Sequence, residues 1–295
     1  MSDPEDIPKL RMASAPTPEE LAQRFEREQR GMALQREDRL GALLGDLRVG
    51  SVPYLNAVPL TRGLEDQIIY APPSELAEKL RRNELDAALV SVTEVLFNDR
   101  YDVLDGIAVA SLGEVKSVFL AHTEPIEKIT EIFCDPASLT SVSLLKVLLA
   151  ERGCRPEFKP LENYAEARGK KNVLLIGDPA IDFLLAPHQH EVWDLGTAWF
   201  ESTGLPFVYA VWALRRGLEN ELLKRQLREA KAFGLDTLDL IIRSRSEYTL
   251  DFRQDYLTWH IHYHLGADEK RGLARFIELL RQHEPRTVYA PRFVS

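Results

Sequence analysis

Asn56 is the first residue in the chain whose type and place suggest that it could contact a ligand. It follows the apolar run 47–52, which is typical of a β-strand, and comes two positions after Tyr54. In α/β proteins ligands lie at the carboxyl ends of strands, where a carboxamide can both donate and accept hydrogen bonds. The alternative is that Asn56 is the N-cap of a short helix, which is the commoner use of an asparagine in such a position.

Two further predicted strands place hydroxyl groups where a ligand could bind. Ser91 and Thr93 follow the apolar strand 87–90 and could either cap the next helix or donate hydroxyls into a cleft. Ser117 lies inside the apolar strand 115–121, so its hydroxyl needs a hydrogen-bonding partner. A backbone group is the usual partner of a buried hydroxyl, which leaves a structural alternative to ligand binding.

One predicted strand–helix junction combines several hydroxyls with the start of a helix. Ser138, Thr140 and Ser141 lie within four residues there, and a helix N-terminus beside them would attract an anion such as a carboxylate. An ordinary capped helix is the alternative. Another junction, after the strand 173–176, holds Asp178, which we interpret as a helix cap rather than a catalytic base.

The patterns that mark several common chemistries are missing from the sequence. It contains no glycine-rich phosphate loop, no cysteine pair with zinc-ligand spacing and no Gly-x-Ser-x-Gly nucleophile motif. His260 and His264 would lie one turn apart on a helix and could bind a metal. The aromatic residues beside them and the lack of a suitably spaced acidic residue favour an ordinary polar helix face. We therefore predict no metal site and no cofactor.

The composition indicates a soluble globular protein. Of the 295 residues, 45% are hydrophobic and 28% charged, and 37 basic and 46 acidic side chains give a formal net charge of −9. This acidic balance argues against a protein that binds nucleic acids or anionic membranes. Two cysteines exclude a disulfide framework, and no apolar run approaches the roughly 20 residues of a membrane helix. The acidic start lacks the apolar stretch of a secretory signal, so we expect a cytoplasmic protein.

Strands and helices alternate along most of the chain, which predicts an α/β fold with mixed, mostly parallel sheets and helices on both faces. A helical C-terminal segment follows, including one predicted helix over 252–265. About nine or ten strands favour two small sheets, and therefore two lobes with a cleft between them. We predict one lobe from 47–121 and 208–295, with 122–207 inserted as the second. Residues 1–46 are predicted to form a charged extension, helical or partly disordered.

Six blocks of sequence carry a resemblance to a known family. The first is Val49-Gly-Ser-Val-Pro-Tyr-Leu-Asn-Ala-Val-Pro-Leu60, and the others are Leu85–Glu94, Ser138–Lys146, Leu174–Ala180, Asp194–Trp199 and Thr203–Trp212. Over about residues 47–290 they resemble the chorismate dehydratases of menaquinone biosynthesis by the futalosine route. The synthase that acts later in that route opens with Ser-Pro-Cys-Pro-Asn-Asp, which this chain lacks. The resemblance implies a two-lobed fold similar to the type II periplasmic binding proteins.

The resemblance also implies a reaction and roles for the candidate residues. The reaction removes water from chorismate and gives 3-[(1-carboxyvinyl)oxy]benzoate without a cofactor, by an elimination that we expect the substrate's own carboxylate to assist. Asn56 matches the family's active-site asparagine, and Ser117 matches a serine that contacts the substrate. The other candidates for substrate binding are polar residues near predicted strand ends: Tyr54, Ser91, Thr93, Ser138, Thr140, Ser141 and Asp178.

Leu139 departs from the family pattern, which commonly has arginine at this position. If the arginine faced the substrate, the leucine would remove one contact to a carboxylate. If the arginine faced solvent, the substitution would change nothing at the site. The sequence leaves both possibilities open.

Three other functions fit parts of the sequence. A non-catalytic solute-binding protein for a small aromatic or carboxylate ligand would share the fold but would normally carry an export signal. The later synthase of the same route is argued against by its missing opening motif, and an effector-binding regulator would need a DNA-binding helix-turn-helix that 1–46 does not show. We therefore predict chorismate as the small-molecule partner, no nucleic-acid or membrane partner, and a monomer or homodimer.

Overall fold

The strands of this protein form two β-sheets. The computed structural model describes Gly31, Leu44 and residues 46–134, 139–217 and 221–295, and Leu44–Ser295 forms one compact unit. The predicted charged extension therefore lies outside the described residues, except for three of its positions. In chain order the strands are β1 (Val49–Ser51), β2 (Ile68–Tyr70), β3 (Ala87–Ser91), β4 (Tyr101–Ser111), β5 (Val118–His122), β6 (Glu131–Cys134), β7 (Glu157–Pro160), β8 (Asn172–Ile176), β9 (Glu191–Asp194), β10 (Phe207–Arg215) and β11 (Arg292–Val294).

Helices connect these strands. They are α1 (Pro73–Arg81), α2 (Val92–Phe97), α3 (Leu139–Glu151), α4 (Gly177–Leu185), α5 (Leu195–Thr203), α6 (Glu221–Asp236), α7 (Leu238–Ser244), α8 (Leu250–Asp255) and α9 (Ala267–His283). In α1 the buried residues Leu76, Ala77 and Leu80 recur at helical spacing, and basic residues in the last turn suit the helix dipole. In the part of the chain that the structure describes, no helix combines the length and apolar character needed to cross a membrane.

Both sheets mix parallel and antiparallel pairs. The first has the strand order β11-β4-β10-β3-β1-β2 and the second β7-β6-β8-β5-β9. In the first sheet β1 is parallel to β2 and β3, and β11 is parallel to β4, whereas β10 is antiparallel to both of its neighbours. In the second sheet β6 is parallel to β7 and β8, whereas β5 is antiparallel to β8 and β9. The predicted α/β fold with mixed, mostly parallel sheets is confirmed.

The chain crosses from one sheet to the other twice. It leaves the first sheet after β4 and returns to it with β10, so the crossings lie within 112–117 and 195–206. The apolar run 115–121 predicts one strand of the first lobe, but β5 pairs within the second sheet. The strand begins late because Lys116 has a left-handed backbone, with φ 61°, which interrupts an extended run. The division into lobes stays a prediction, and this pairing moves its first boundary to a point before Val118.

The helix predicted over 252–265 is shorter than expected. α8 passes into a π-helical turn at Tyr256–His260, and the helix ends there. Along Ile261–Leu265 every second residue is buried, which is the alternation of a strand rather than of a helix. His262 accordingly forms an antiparallel bridge with Ala110 of β4. The prediction was wrong because the period-two burial of this short segment was taken for part of a helical face.

Candidate functional site

A cleft lies between the two sheets and is lined by residues from both. The cleft and its open mouth have about 640 Å³ of empty space. Every described side chain that lines it is uncharged, and its apolar wall includes Leu89, Val109, Val118 and Ile261. The polar side chains of the lining are Tyr54, Asn56, Ser91, Ser117, Thr140, Ser141 and Tyr209. The cleft therefore offers hydrogen bonds in an otherwise apolar pocket, which is the usual character of a site for a small ligand.

Asn56 belongs to a short 3₁₀ helix, Leu55–Leu60, and its side chain lines the cleft. Four of the six residues of this helix are buried, which anchors the turn that carries Asn56. The N-cap of the helix is Tyr54, and no side chain caps it. The alternative interpretation of Asn56 as a helix cap is therefore wrong, and its carboxamide is left to bond within the site.

Ser117 lies where the chain enters the second sheet, immediately before β5. The carboxylate of Asp194 accepts hydrogen bonds from the backbone N–H groups of Val115 and Lys116, at 3.1 and 2.8 Å. The carbonyl of Ser117 accepts the N–H of Gly177 at 2.8 Å. A left-handed residue costs roughly 1 kcal/mol or more, which these bonds offset at Lys116. The backbone of Ser117 is thus held tightly while its buried side chain lines the cleft.

Tyr256 is a residue of the site that the sequence analysis did not identify. It is fully buried at the start of the π-helical turn, and its hydroxyl donates to Ser117 Oγ at 2.7 Å. The side chain of Asn56 lies beside the same phenol and lowers its pKa. Tyr256 is 139 residues from Ser117 in the chain and lies in a stretch that we interpreted as plain helix, so no local signal could have connected them.

The predicted hydroxyl residues divide into two groups. Ser91, Thr140 and Ser141 line the cleft, whereas Thr93 is buried and does not line it. Thr140 Oγ1 accepts the backbone N–H of Thr93 at 3.2 Å and lies 3.1 Å from its hydroxyl. Thr93 thereby fixes Thr140 in the first turn of α3. Ser138 lies outside the described residues.

Asp178 and Tyr54 connect the two sides of the cleft. Asp178 Oδ1 accepts the backbone N–H of Leu55 at 3.2 Å, across the cleft from α4 to the 3₁₀ helix that carries Asn56. Tyr54 packs on Gly177, where a Cβ would lie 3.0 Å from the Tyr54 ring and where φ is 62°. No side chain caps α4, so the interpretation of Asp178 as a cap was wrong. Asp178 does not line the cleft, and its predicted contact with a ligand stays a prediction.

Burial raises the pKa of Asp178 to about 6, although the hydrogen bond from Leu55 works in the opposite direction. In the unfolded chain an aspartate titrates near its usual value of about 3.9. Between these two values the folded protein holds a proton that the unfolded chain has lost, so the free energy of unfolding falls as pH rises through this window. Above the folded pKa the ionised Asp178 lowers the free energy of unfolding by its full amount. Below the unfolded pKa it does not lower it at all.

We therefore expect Asp178→Asn to be more stable than the wild type at neutral pH, because asparagine keeps an acceptor for Leu55 without a buried charge. The free energy of unfolding should rise by about 1 to 3 kcal/mol above the folded pKa, and this gain should vanish toward about pH 4. Urea unfolding across this range measures it. Asp236→Asn, at the exposed end of α6, is the control. Equal gains for Asp178→Asn at both ends of the range would contradict the prediction.

Leu139 faces a pocket separate from the cleft. That pocket is also lined by Arg81, Glu94 and Arg286, and Leu139 is not part of the cleft lining. An arginine at this position would have two like charges, Arg81 and Arg286, and one opposite charge, Glu94, in the same pocket. Leu139 itself therefore contributes no contact to the cleft.

The histidines that could have bound a metal have other partners. His260 Nδ1 lies 2.8 Å from the carbonyl of Glu114, and its Nε2 lies 3.1 Å from Asp255 Oδ2. His264 Nδ1 lies 3.0 Å from Lys231 Nζ. The two histidines do not share a helix face, because the helix ends at His260. Among the described residues, no three His, Cys, Asp or Glu side chains come together in a group that could hold a metal ion.

The chain is similar to known proteins over most of its length. A protein-family model described as menaquinone biosynthesis matches residues 47–282. A chorismate dehydratase of Thermus thermophilus is 36% identical over 259 residues, which cover 79% of this chain and 94% of that protein. A chorismate dehydratase of Campylobacter jejuni is 29% identical over 229 residues, which cover 76% of this chain and 89% of that protein.

The fold is similar to that of periplasmic binding proteins. The periplasmic aliphatic sulphonate binding protein SsuA from Escherichia coli superposes with a TM-score of 0.55, covering 84% of this chain and 93% of that one. The two sequences are 15% identical, so this likeness concerns the fold alone. It confirms the predicted likeness to the type II periplasmic binding proteins.

Proposed function

Because this chain belongs to the menaquinone biosynthesis family, we infer that it is a chorismate dehydratase, the hydro-lyase of the futalosine route. The observation that carries this conclusion is the 36% identity to the Thermus thermophilus enzyme, over 94% of that enzyme's length. The family that the six sequence blocks predicted is thereby confirmed. We further propose a cytoplasmic enzyme that works without a cofactor, as a monomer or homodimer.

The reaction asks for geometry and desolvation more than for strong catalytic groups. A hydroxyl leaves one ring carbon of chorismate, a proton leaves the neighbouring carbon, and the ring becomes aromatic. The acidity of the carbon is raised by delocalisation into the diene carboxylate, so a weak base in the right place is sufficient. We propose that the enolpyruvyl carboxylate of the substrate takes the proton and that proton and hydroxyl leave together as water. The protein's part is to hold the substrate in the reactive geometry and to exclude bulk water.

The character of the cleft supports this mechanism. Its described lining has no charged side chain, so a substrate carboxylate meets no charged group among these lining residues. Hydrogen bonds to an anion are stronger in such a low-dielectric site than in water. In the proposal, Thr140 and Ser141 in the first turn of α3 bind one carboxylate through hydroxyl and backbone N–H groups, helped by the helix dipole.

Asn56 and Ser117 are proposed to act on the reacting part of the substrate. They lie on opposite sides of the cleft, where Ser117 bonds the hydroxyl of Tyr256 and Asn56 lies beside the same hydroxyl. Asn56 would orient the leaving hydroxyl or the carboxylate that takes the proton, and Ser117 would donate to a substrate oxygen. Ser91 and Tyr54, which also line the cleft, would complete the binding site.

A non-catalytic binding protein is the second candidate function, because the fold is shared with a sulphonate-binding protein. The two functions are separated by incubating the purified protein with chorismate and following both the loss of near-ultraviolet absorbance and the mass of the product. We expect a product lighter than chorismate by one water, formed much faster than in a sample without protein. Unchanged chorismate, together with a protein whose melting temperature rises on adding chorismate, would instead establish the binding protein.

A further inference from the structure

We propose that Tyr256 is a positioning residue, which sets the direction in which Asn56 and Ser117 offer their hydrogen bonds to the substrate. The inference rests on the proposed function. Tyr256 has no exposed surface and does not line the cleft, so it does not itself touch the substrate. Its hydroxyl nevertheless bonds Ser117 and has the Asn56 side chain beside it, and these are the two residues that are proposed to act on the reacting atoms.

The hydrogen-bonding capacity of a phenol determines the direction of this network. A tyrosine hydroxyl has one proton to donate, and Tyr256 donates it to Ser117 Oγ at 2.7 Å. The phenol oxygen can then only accept, so the neighbouring Asn56 side chain can approach it favourably only with its amide N–H group. Ser117, having accepted from Tyr256, keeps its own O–H free to donate into the cleft. Asn56 keeps its carbonyl oxygen and its second N–H for the substrate.

Tyr256 is held firmly enough to impose this direction. Its ring stacks on Phe252, with ring centroids 5.7 Å apart. The residue before it, Asp255, forms an ion pair with Lys116 at 2.5 Å, directly beside Ser117. Two consecutive residues, Asp255 and Tyr256, are thus paired with two consecutive residues of the segment that crosses between the sheets, Lys116 and Ser117. The π-helical turn that begins at Tyr256 provides this alignment, and such turns are frequent at functional sites.

Tyr256 stays protonated throughout the neutral range, because complete burial raises the pKa of its hydroxyl above the usual value. Tyr256 therefore does not act as a general base. A neutral phenol in this position fixes the rotamer of Ser117 and the orientation of the Asn56 amide before the substrate binds. Such pre-arranged donors need no reorganisation during the reaction, which is how they lower its barrier.

The test is Tyr256→Phe, which keeps the ring and removes only the hydroxyl. Tyr263→Phe is the matched control, since Tyr263 is also buried and its hydroxyl has no partner among the described residues. We expect kcat for chorismate to fall about 10- to 100-fold in Tyr256→Phe and to stay unchanged in Tyr263→Phe. Wild-type activity in Tyr256→Phe would overturn the proposal.

A second measurement separates positioning from a general loss of stability. Because Tyr256 acts through Ser117, Tyr256→Phe should lower kcat less in a Ser117→Ala background than in the wild type. The same fold-loss in both backgrounds would overturn the proposal, since a purely structural effect would be additive.

Crystal structures of the two phenylalanine variants decide the inference independently of turnover. We expect the Ser117 side chain to leave its rotamer in Tyr256→Phe and to keep it in Tyr263→Phe. An unmoved Ser117 in Tyr256→Phe would overturn the proposal. If the wild type does not convert chorismate, the proposed function fails by that result alone, and these structures still decide whether Tyr256 positions Ser117.

Discussion

Asn56→Ala is expected to lower kcat/KM for chorismate about 100- to 1,000-fold, the usual effect of losing one directed donor at a reacting centre. The side chain lines the cleft, so its removal takes away the proposed contact to the reacting part of the substrate. The melting temperature should change little, because Asn56 caps no helix and its turn is anchored by buried neighbours. Steady-state kinetics and thermal unfolding of the same preparation measure both.

Asn163→Ala provides the matched control, because Asn163 plays the structural part that Asn56 does not. It is the N-cap of the 3₁₀ helix Tyr164–Gly169, and its side chain accepts the backbone N–H of Ala165 at 2.9 Å. We expect this variant to lose about 0.5 to 2 kcal/mol of stability and to keep its activity. An Asn56→Ala protein that releases product at the wild-type rate would contradict the catalytic role of Asn56.

Gly234→Ala is expected to destabilise the protein by about 3 kcal/mol or more and to reduce activity with it. Gly234 lies in α6, and a Cβ there would come within 1.9 Å of the carbonyl oxygen of Pro59. Alanine would favour the helix by only about 1 kcal/mol over glycine, so the clash decides the sign. Pro59 belongs to the 3₁₀ helix that carries Asn56, so relief of the clash must displace the site. Urea unfolding and turnover of the remaining folded protein test both effects.

Gly169→Ala is the control for this substitution. Unlike Gly234, Gly169 has open space around it, because nothing lies within 4 Å of the Cβ that alanine would add. Its stability and activity should match the wild type within about 0.5 kcal/mol and twofold. A Gly234→Ala protein as stable as this control would show that α6 and the 3₁₀ helix can separate without cost.

The positions of predicted strand ends identified some of the residues that line the cleft, but not the direction of every side chain. Asn56 and Ser91 each follow a short apolar run, and both line the cleft because ligands in this architecture meet the ends of strands. Thr93 and Asp178 followed from the same reasoning but bond protein groups instead, Thr140 and the backbone of Leu55. The type of a residue after a strand is local information, whereas the direction of its side chain depends on what packs against it.

The sequence by itself determined the alternation of strands and helices, the strand ends that carry polar side chains, and the family. Each of these depends on the period and polarity of residues that are close together in the chain. Only the tertiary structure decided that β5 belongs to the second sheet, that Leu139 lines a pocket other than the cleft, and that Tyr256 bonds Ser117. Residues 139 apart in the chain have no common local pattern, and their contact exists only because two sheets and a helix pack together.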